Sequence, residues 1–512
     1  MQPSLDIGGD LIKHWSHHHP DKPAVIYRDQ YLTWSKLYER SHALAQALYG
    51  IGLRPGDRAA VMIYNLPEYW EIYVALIILG VGFIPVGYKS KAPEIEYIVN
   101  NSESRCFLFH SDFARRILTH RVRYKELFQE GFICIGDTSL KGATSYNAII
   151  DHHPTVDLSL LPKQTGETMI YTSGTTGKPK GASRSNIESM GEMLKTYIEA
   201  FNLTPDEIHL ASCPLYHSAP LCFAGASFLL GGTLILMSRF KPKEFLKNIE
   251  RHRVTSAFVV PIILNSLLKL SEKEIRETDL SSLRALVCGG ATLSPKIKFD
   301  ILDKIGPVLY EFYGSTETGI NTIITPEEIR DRPNSVGKAM PFNELVILDK
   351  DGNKVLNGKR GELYIYNPFL IDGYYKNEQA TQDCFRGKHI TVGDIAIRDE
   401  DGYYYIVDRK KDMIIRGGVN IYPAEIEEVL NGMPGISDVA VIGLPNLDWG
   451  ETVAAIVVCE NDTKITEESI KTYCKERLAQ YKIPESIHFR KQILRNPQGK
   501  ILKRRIKKEL LS

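Results

Sequence analysis

The sequence predicts an α/β protein with doubly wound sheets in a large N-terminal domain and a small, mobile α+β domain at the C-terminus. Through about residue 400, short apolar strands alternate with helices and glycine-rich turns, which is typical of doubly wound architecture. After that point a charged, glycine-flanked segment (401–418) precedes one helix, two strands and a lysine-rich helix. We therefore predict domains at residues 1–410 and 411–512, joined at a flexible crossing.

The first elements show the alternation. Thr33 can cap a helix that carries a stripe of leucines, and a turn then leads into a strand at 59–64. Asn65 is predicted to cap a second helix, which is followed by a strand at 83–86. Two later strands, at 284–288 and 307–313, each run into a glycine turn. Because ligands of doubly wound folds lie at the carboxyl ends of strands, we expect the chemistry in these turns.

One stretch requires a membrane test. Residues 219–237 are uncharged over nearly the length of a spanning helix, but Pro220, Gly225, Gly231 and Gly232 interrupt them. We predict a buried helix, a glycine stop and a buried strand instead.

The composition limits partners and location. With 63 basic and 62 acidic residues, the formal charge of +1 predicts no general attraction to nucleic acid, so anionic ligands must be bound locally. The eight cysteines form no CxxC pair, which predicts reduced thiols rather than disulfides or a zinc site. The N-terminus lacks the pattern of a secretion signal, so we expect a cytoplasmic protein without a transmembrane segment.

The segment YTSGTTGKPKG (171–181) is predicted to bind phosphate. It does not match the P-loop pattern GxxxxGK[ST], but glycines admit close backbone N–H groups, hydroxyls donate and lysines add charge. A solvated linker is the alternative, which the apolar residues before it disfavour. The candidate residues are Thr172, Ser173, Gly174, Thr175, Thr176, Gly177 and Lys180.

A second glycine turn carries YGSTETG (313–319). Glu317 stands alone among small residues after a buried strand, where it could hold a magnesium ion that bridges phosphate oxygens. Tyr313 offers an aromatic face to a purine. The alternative is a capping turn, with Thr316 or Thr318 as the cap.

Five motifs in this order resemble the adenylate-forming superfamily of acyl-CoA synthetases, peptide-synthetase adenylation domains and firefly-type luciferases. The resemblance covers the whole chain, and the motifs are 171–181, 313–319, 361–375, 391–414 and 496–505. It implies that ATP, Mg²⁺ and coenzyme A are used. It also implies that the first loop holds the β- and γ-phosphates, while Thr316 contacts the α-phosphate and Glu317 binds magnesium.

The resemblance also assigns the remaining nucleotide contacts and the moving parts. Tyr313 and the turn Gly289, Gly290 and Ala291 would frame the adenine, and Asp394 and Arg409 would hold the ribose hydroxyls. Lys500 resembles the adenylation lysine of the family, whose charge offsets the repulsion between carboxylate and phosphate. Lys411 matches the hinge about which the small domain rotates, after which Gly417 and Gly418 would serve thioester formation.

The segment CPLYHSAP (213–220) favours one branch of the superfamily. It lacks the aspartate that amino-acid-activating domains use to pair a substrate ammonium, so we expect an uncharged acyl or aryl chain. His217 resembles the gating residue of acyl-CoA synthetases; the alternative is a buried histidine bonded to backbone. Small residues that would leave room for a bulky tail are Ser218, Ala219, Ala224, Gly225 and Ala226.

We therefore predict an acyl-CoA synthetase for medium- or long-chain fatty acids or bulky alicyclic acids, as a monomer or homodimer. A ligase that loads a carrier protein, a luciferase-like oxygenase and a non-catalytic acyl-binding relative remain alternatives. Glu317 and Lys500 disfavour the last of these. Arg504, Lys507 and Lys508 are read as a charged helix face, with weak peripheral membrane contact as a further possibility.

Overall fold

The computed structural model describes residues 9–136, 140–152, 155–161, 166–172, 178–184, 188–417, 419–460, 465–496 and 499–511. A large mixed sheet lies in the N-terminal part, parallel at its centre and antiparallel at both edges. Its strands, in order across the sheet, are β16 (Lys338–Ala339), β15 (Gly319–Ile324), β14 (Leu309–Ser315), β13 (Ala285–Cys288), β12 (Ser256–Val259), β10 (Ile208–Ala211), β11 (Thr233–Leu236), β1 (Pro23–Tyr27) and β2 (Gln30–Thr33).

A second, fully parallel sheet faces the first across a shared core. Its strands in order are β4 (Gly82–Pro85), β3 (Arg58–Met62), β5 (Cys106–His110), β6 (Phe132–Ile135) and β7 (Thr144–Ser145). Ala211 of β10 packs in the core that holds Ala59 of β3, whereas its neighbour Leu210 packs in a different core. Both faces of the large sheet are therefore covered, and the predicted doubly wound architecture is confirmed.

Helices cover these sheets. They are α1 (Gly9–His18), α2 (Trp34–Gly50), α3 (Pro67–Leu79), α4 (Ala92–Asn101), α5 (Ala114–Leu118), α6 (Tyr146–Asp151), α7 (Glu188–Ala200), α8 (Ser218–Leu229), α9 (Pro242–His252), α10 (Pro261–Leu268), α11 (Glu272–Arg276), α12 (Pro295–Lys304), α13 (Pro326–Asp331) and α14 (Glu378–Cys384). Thr33 caps α2 as predicted, because its side chain accepts a hydrogen bond from the backbone N–H of Lys36.

Asn65 does not cap a helix, contrary to the prediction. Leu66 is the N-cap residue of α3, and Pro67 occupies the first helical position, where a missing N–H costs nothing. The Asn65 amide is buried instead and donates to the carbonyl oxygens of Ala211 and Cys213. It thereby ties the segment before α3 to the end of β10.

The stretch 219–237 is confirmed as a buried helix followed by a buried strand. Helix α8 ends before Gly231, which has a φ of +70°, and β11 then runs through the large sheet. Among the residues with described placement, no helix combines the length and apolarity needed to cross a membrane.

The N-terminal part also contains two smaller sheets. One consists of β19 (Gly373–Tyr374), β9 (Lys180–Ser183) and β8 (Ile170–Thr172), all antiparallel. The other runs in the order β20 (Phe385–Arg386), β21 (His389–Ile390), β18 (Gly361–Tyr366), β22 (Asp394–Arg398) and β23 (Tyr404–Arg409), and β17 (Glu344–Leu348) also pairs with β18.

The C-terminal part has its own sheet and core. The sheet contains β25 (Val419–Ile421), β24 (Ile414–Arg416), β27 (Gly450–Cys459), β26 (Ile436–Asn446) and β28 (Ser486–Phe489), and it packs with α15 (Pro423–Asn431), α16 (Glu467–Lys475) and α17 (Lys503–Leu511). The boundary expected at 410/411 falls in the turn between β23 and β24, which belong to different sheets. Lys507 on α17 pairs with Glu451 at 2.7 Å, while the weak membrane contact stays a prediction.

Candidate active site

A cavity of about 3930 Å³ lies at the carboxyl ends of the central strands and extends between the two parts of the chain. It brings together most of the residues singled out from the sequence. Those that line it are Thr172, Lys180, His217, Gly290, Ala291, Tyr313, Thr316, Glu317, Asp394, Arg409, Lys411 and Lys500. The centre of the predicted phosphate loop, Ser173, Gly174, Thr175, Thr176 and Gly177, lies outside the described residues, as does Gly418.

Glu317, in the predicted turn at 313–319, is held by two hydroxyl groups. The Tyr374 hydroxyl donates to Oε1 of Glu317 at 2.9 Å, and the Thr172 hydroxyl donates to the same oxygen at 3.3 Å. Within the described part of the chain, Oε2 of Glu317 has no hydrogen-bond partner, and the residue lines the cavity. One carboxylate oxygen is therefore fixed and the other is available to a ligand.

Thr316 is positioned from two sides. Its hydroxyl lies 3.1 Å from that of Ser218, the first residue of α8, and its carbonyl accepts a hydrogen bond from the Arg184 guanidinium. The guanidinium also donates to the Phe369 carbonyl at 2.9 Å. The turn that carries Thr316 and Glu317 is thereby joined to the segment around Phe369.

Arg184 was not singled out from the sequence. Burial lowers the pKa of its guanidinium, yet in the described chain no carboxylate comes within ion-pair distance of it. Two backbone carbonyls bind it instead, and this is the compensation that a buried charge requires. Arg184 is visible in the sequence three residues after Gly181, but its carbonyl partners are remote along the chain.

Tyr313, Asp394 and Arg409 form a connected polar group. Asp394 opens β22 opposite Arg409 at the end of β23. Its buried carboxylate accepts from the Tyr313 hydroxyl at 2.6 Å and from Nε of Arg409 at 2.6 Å. Burial and the neighbouring Asp394 carboxylate raise the pKa of Tyr313 well above its usual range. The three side chains are fixed before any ligand binds.

The turn after β13 is shaped by its glycines. A side chain on Gly289 would bring its Cβ within 2.5 Å of the Phe312 ring, so the aromatic ring requires glycine there. Gly290 has a φ of +84°, which side chains rarely adopt. Gly290 and Ala291 line the cavity close to the end of β14, whereas Gly289 supports them from behind.

His217 precedes α8 at the cavity wall. Burial, with a smaller contribution from Lys89, lowers its pKa to about 3, so the imidazole is neutral at physiological pH. The small residues that follow it fall into two groups. Ser218, Ala219 and Gly225 line the cavity, whereas Ala224 and Ala226 pack into hydrophobic cores and leave no room for a ligand.

Aromatic rings form another part of the wall. Phe223 lies 5.6 Å from Phe258 and 6.5 Å from Tyr197, and Phe258 lies 6.1 Å from Phe312, measured between ring centres. The Tyr197 hydroxyl accepts a hydrogen bond from the backbone N–H of Ile320 at 2.8 Å, which gives its one polar group a partner. These four rings give one part of the cavity an apolar surface, and we call this part the chamber.

Lys500 reaches the cavity from the C-terminal part. A side chain on Gly499 would contact Ile262 of α10 at 3.3 Å, so the loop packs against the N-terminal part. Burial first, then Arg409 and Lys411, lower the pKa of Lys500 to about 8. Within the described chain its ammonium has no hydrogen-bond or ion-pair partner.

A polar contact of the buried Asp408 carboxylate joins the two parts of the chain near this lysine. Asp408 of β23 accepts from the backbone N–H of Ala424 in the first turn of α15 at 3.0 Å. Lys503 pairs with Glu427 of the same helix at 2.7 Å. Burial raises the pKa of Asp408 to about 6. The Asp408–Ala424 bond crosses between the two parts, whereas the Lys503–Glu427 pair lies within the C-terminal part.

Two residues of the predicted moving parts differ in position. Lys411 lines the cavity, and burial, then Arg409, lower its pKa. Gly417, with a φ of +54°, packs beside Trp449, where its N–H donates to the Trp449 carbonyl at 2.8 Å. The described structure thus brings Lys500, and not Gly417, to the cavity.

The site fits a magnesium ion of the kind that arrives with a nucleotide. Mg²⁺ is usually bound through one or two carboxylates plus substrate phosphates, and Glu317 presents one free carboxylate oxygen. Among the described residues, no group of three or more histidines, cysteines or carboxylates could hold a metal by itself. A nucleotide would have to supply the remaining oxygen ligands.

Two family models cover most of the chain. The model for AMP-binding enzymes matches residues 12–375, and that for the C-terminal domain of AMP-binding enzymes matches residues 425–500. A feruloyl-CoA synthase of Amycolatopsis sp is 33% identical over 96% of each chain. The long-chain-fatty-acid–CoA ligase FadD13 of Mycobacterium tuberculosis is also 33% identical, over 93% of this chain and 92% of its own.

Solved structures share the fold. The amide bond synthetase McbA from Marinactinospora thermotolerans superposes with a TM-score of 0.86 at 25% identity, over 98% of this chain and 99% of its own. The o-succinylbenzoate CoA synthetase of Bacillus subtilis, in complex with ATP and a magnesium ion, has a TM-score of 0.83 at 27% identity, over 97% and 99%. The chain therefore belongs to the AMP-binding enzyme family, in the acyl-CoA synthetase branch of the adenylate-forming superfamily, and is an AMP-forming acid–thiol ligase.

Proposed function

We propose that this chain uses ATP to convert an uncharged apolar acid to its acyl-adenylate, and then transfers the acyl group to coenzyme A. The observation that carries the proposal is the position of Lys500. This residue comes from the C-terminal part, yet it lines the same cavity as Glu317 and the Asp394–Arg409 pair. A cation without a partner among the described residues suits, at that place, a reaction between two anions.

The first half-reaction joins the acid to AMP. A carboxylate oxygen attacks the α-phosphorus of ATP, the new oxygen–phosphorus bond forms, and the bond to the pyrophosphate oxygen breaks. The Lys500 ammonium reduces the repulsion between the carboxylate and the phosphate as they approach. The Thr316 hydroxyl would donate to an α-phosphate oxygen, for which Arg184 and Ser218 hold it in place.

The nucleotide contacts follow from the donors available. Asp394 accepts from the ribose hydroxyls and Arg409 donates to them, while Thr172, Lys180 and the loop between them hold the departing pyrophosphate. Tyr313, with Gly289, Gly290 and Ala291, frames the adenine. Glu317 would hold a magnesium ion, which neutralises phosphate charge when bound.

The second half-reaction forms the thioester. The thiol of coenzyme A loses its proton and attacks the acyl carbonyl carbon, a carbon–sulfur bond forms, and AMP leaves with the electrons of the broken carbon–oxygen bond. We infer that the C-terminal part rotates at Lys411 between the two steps, which withdraws Lys500 and brings Gly417 and Gly418 to the cavity.

The lining of the chamber favours a medium- or long-chain fatty acid, or a bulky alicyclic or aromatic acid, as the substrate. Tyr197, Phe223 and Phe258 line it with apolar surface, and Ser218, Ala219 and Gly225 leave space. The named substrates of the relatives, feruloyl and long-chain fatty acyl groups, fall in these classes. His217, which is neutral and buried, would act as a gate between the chamber and the thiol of coenzyme A.

The test is consumption of ATP with a panel of such acids, with and without coenzyme A. We expect AMP formation to accelerate when coenzyme A is added and to yield an acyl-CoA. Turnover only with a carrier protein would instead assign the enzyme the function of a ligase that loads a carrier protein. The similarity to an amide bond synthetase makes an amine a second acceptor to include, and amide formation without thioester would overturn the proposed acceptor.

A further inference from the structure

We propose that Tyr374 is a positioning residue for Glu317, and that it keeps one oxygen of this carboxylate available to the magnesium ion that arrives with ATP. The inference rests on the proposed function. It assigns a task to a tyrosine of the 361–375 segment, for which neither the sequence nor the family comparisons supplied one. Its support comes from hydrogen bonding, from the placement of a nearby lysine and from strand pairing.

The hydrogen bonds to Glu317 are one-sided. Tyr374 and Thr172 both donate to Oε1, at 2.9 and 3.3 Å, and both groups come from strands of the same small sheet. In the described structure nothing donates to Oε2. A carboxylate that is otherwise free to turn about its last bond is therefore held with one chosen oxygen toward the cavity. Bonds of this kind to a ligating carboxylate orient it for the metal.

The ring of Tyr374 has a second contact. The ammonium of Lys180 lies 4.8 Å from the centre of the ring, within the range of a cation–π interaction. No ion pair links Lys180 to Glu317 in the described chain, although both side chains contact Tyr374. A direct ion pair between Lys180 and Glu317 would occupy the carboxylate oxygen that a metal ion needs. It would also neutralise the lysine charge that attracts a phosphate. Tyr374 keeps the two opposite charges apart.

The backbone of Tyr374 is fixed to the strand that carries Lys180. Tyr374 of β19 lies opposite Ala182 of β9, two residues after Lys180. Its backbone N–H donates to the Thr381 hydroxyl at 2.9 Å. The hydroxyl and the ring face are thus presented by a paired strand rather than by a free loop, which is what precise positioning requires.

The next residue offers a matched control. Tyr375 directly follows β19, and its hydroxyl donates to Glu103 at 2.6 Å and accepts from Arg58 at 3.0 Å. It is also a half-buried tyrosine bonded to a glutamate, but it does not line the cavity in the described structure. Tyr374→Phe and Tyr375→Phe therefore each remove one hydroxyl, at adjacent positions of the chain.

The experiment measures metal binding without turnover. Mn²⁺ is titrated into the enzyme with α,β-methylene-ATP bound, and free Mn²⁺ is followed by electron paramagnetic resonance. We expect Tyr374→Phe to weaken Mn²⁺ binding about 10-fold, since loss of a partner of a metal ligand usually costs 10- to 100-fold in affinity. Tyr375→Phe should stay within about 2-fold of the unchanged enzyme. Equal Mn²⁺ affinity of Tyr374→Phe and the unchanged enzyme overturns the inference.

A second variant separates the two contacts of the tyrosine. Tyr374→Leu removes the ring as well as the hydroxyl, so Lys180 can reach Glu317, and we expect weaker Mn²⁺ binding than in Tyr374→Phe. Equal values for the two variants overturn the part of the inference that concerns Lys180. If the unchanged enzyme binds neither the nucleotide nor Mn²⁺, the proposed function itself fails. Thermal unfolding of each variant shows that the folded enzyme was compared.

Discussion

The two sides of the cavity differ in how their charged groups are held. On the N-terminal side, Glu317 and Asp394 each accept two hydrogen bonds from neighbouring side chains. On the C-terminal side, Lys500 has no partner for its ammonium among the described residues and lies near two other cations. The first groups are held in place before substrate arrives, whereas the second has a charge that an anionic ligand would balance.

This difference indicates a division of labour. Preorganised groups contribute to binding in every state of the reaction, because they are in place throughout. An unpartnered cation contributes most when negative charge is near it, and its repulsion from Arg409 and Lys411 opposes the same orientation once the charge has left. We therefore expect variants on the two sides to affect different kinetic constants.

The largest effect is expected for Lys500→Ala. Without the ammonium, exchange of pyrophosphate with ATP in the presence of acid should fall by about 10²–10³-fold, the size typical of removing one electrostatic contact to a transition state. Conversion of supplied acyl-adenylate to acyl-CoA should change less than about 3-fold, because Lys500 is not needed in that step. The two half-reactions are measured separately, and an equal fall in both contradicts the assigned role.

Asp394→Asn should have the next largest effect, and it should appear in the KM for ATP. The change weakens two short hydrogen bonds and leaves Arg409 without its carboxylate. Bonds to charged groups contribute about 1.5–3 kcal/mol each, so we expect KM for ATP to rise about 10- to 100-fold, with a smaller change in kcat.

Asp399→Asn is a matched control for that variant. Asp399 directly follows β22, in the connection to β23, and it also binds an arginine and a tyrosine, Arg332 and Tyr405, both at 2.9 Å. It does not line the cavity in the described structure. If Asp399→Asn raises KM for ATP as much as Asp394→Asn does, the effect comes from the strands and not from ribose contacts.

Local signals in the sequence predicted much of the fold. The hydroxyl before α2, the glycines after α8 and the alternation of short apolar runs with helices each depend on a few neighbouring residues, and the structure has them. Asn65 shows the limit. Its type and position suit a helix cap, but the partners of its amide lie 146 and 148 residues away, and no local pattern contains them.

The candidate site shows the same limit. Its chemistry could be predicted, because glycine turns with hydroxyl, acidic and basic residues followed buried strands and matched a family. The side chains that hold these residues in place could not be predicted. Tyr374 lies 57 residues from Glu317, and Arg184 lies 132 residues from Thr316, so only the folded chain brings them together. The chamber likewise needed the structure, since Ala224 and Ala226 turned out to be core residues.

The pH dependence of kcat/KM for ATP tests the state of Lys500. Burial first, and then Arg409 and Lys411, lower its pKa to about 8, while Asp394 and Asp412 partly oppose this shift. The charged form is lost as pH rises through this value, so kcat/KM should fall about 10-fold per unit well above pH 8. Lys500→Arg should abolish this decline, because a guanidinium stays charged. A decline that persists in Lys500→Arg assigns it to another group.

The smallest effect is expected for Ser218→Ala, which tests whether the wall of the chamber also supports the nucleotide side. Its hydroxyl lies 3.1 Å from that of Thr316, and one neutral hydrogen bond is worth about 0.5–1.5 kcal/mol, so adenylation should slow about 2- to 10-fold. Ser227→Ala on the same helix removes a hydroxyl that donates to the Phe223 carbonyl at 3.2 Å, away from Thr316. If both variants slow adenylation equally, packing of α8 is the cause. If only Ser218→Ala does, the helix that forms the acid chamber also positions the threonine that faces the phosphate.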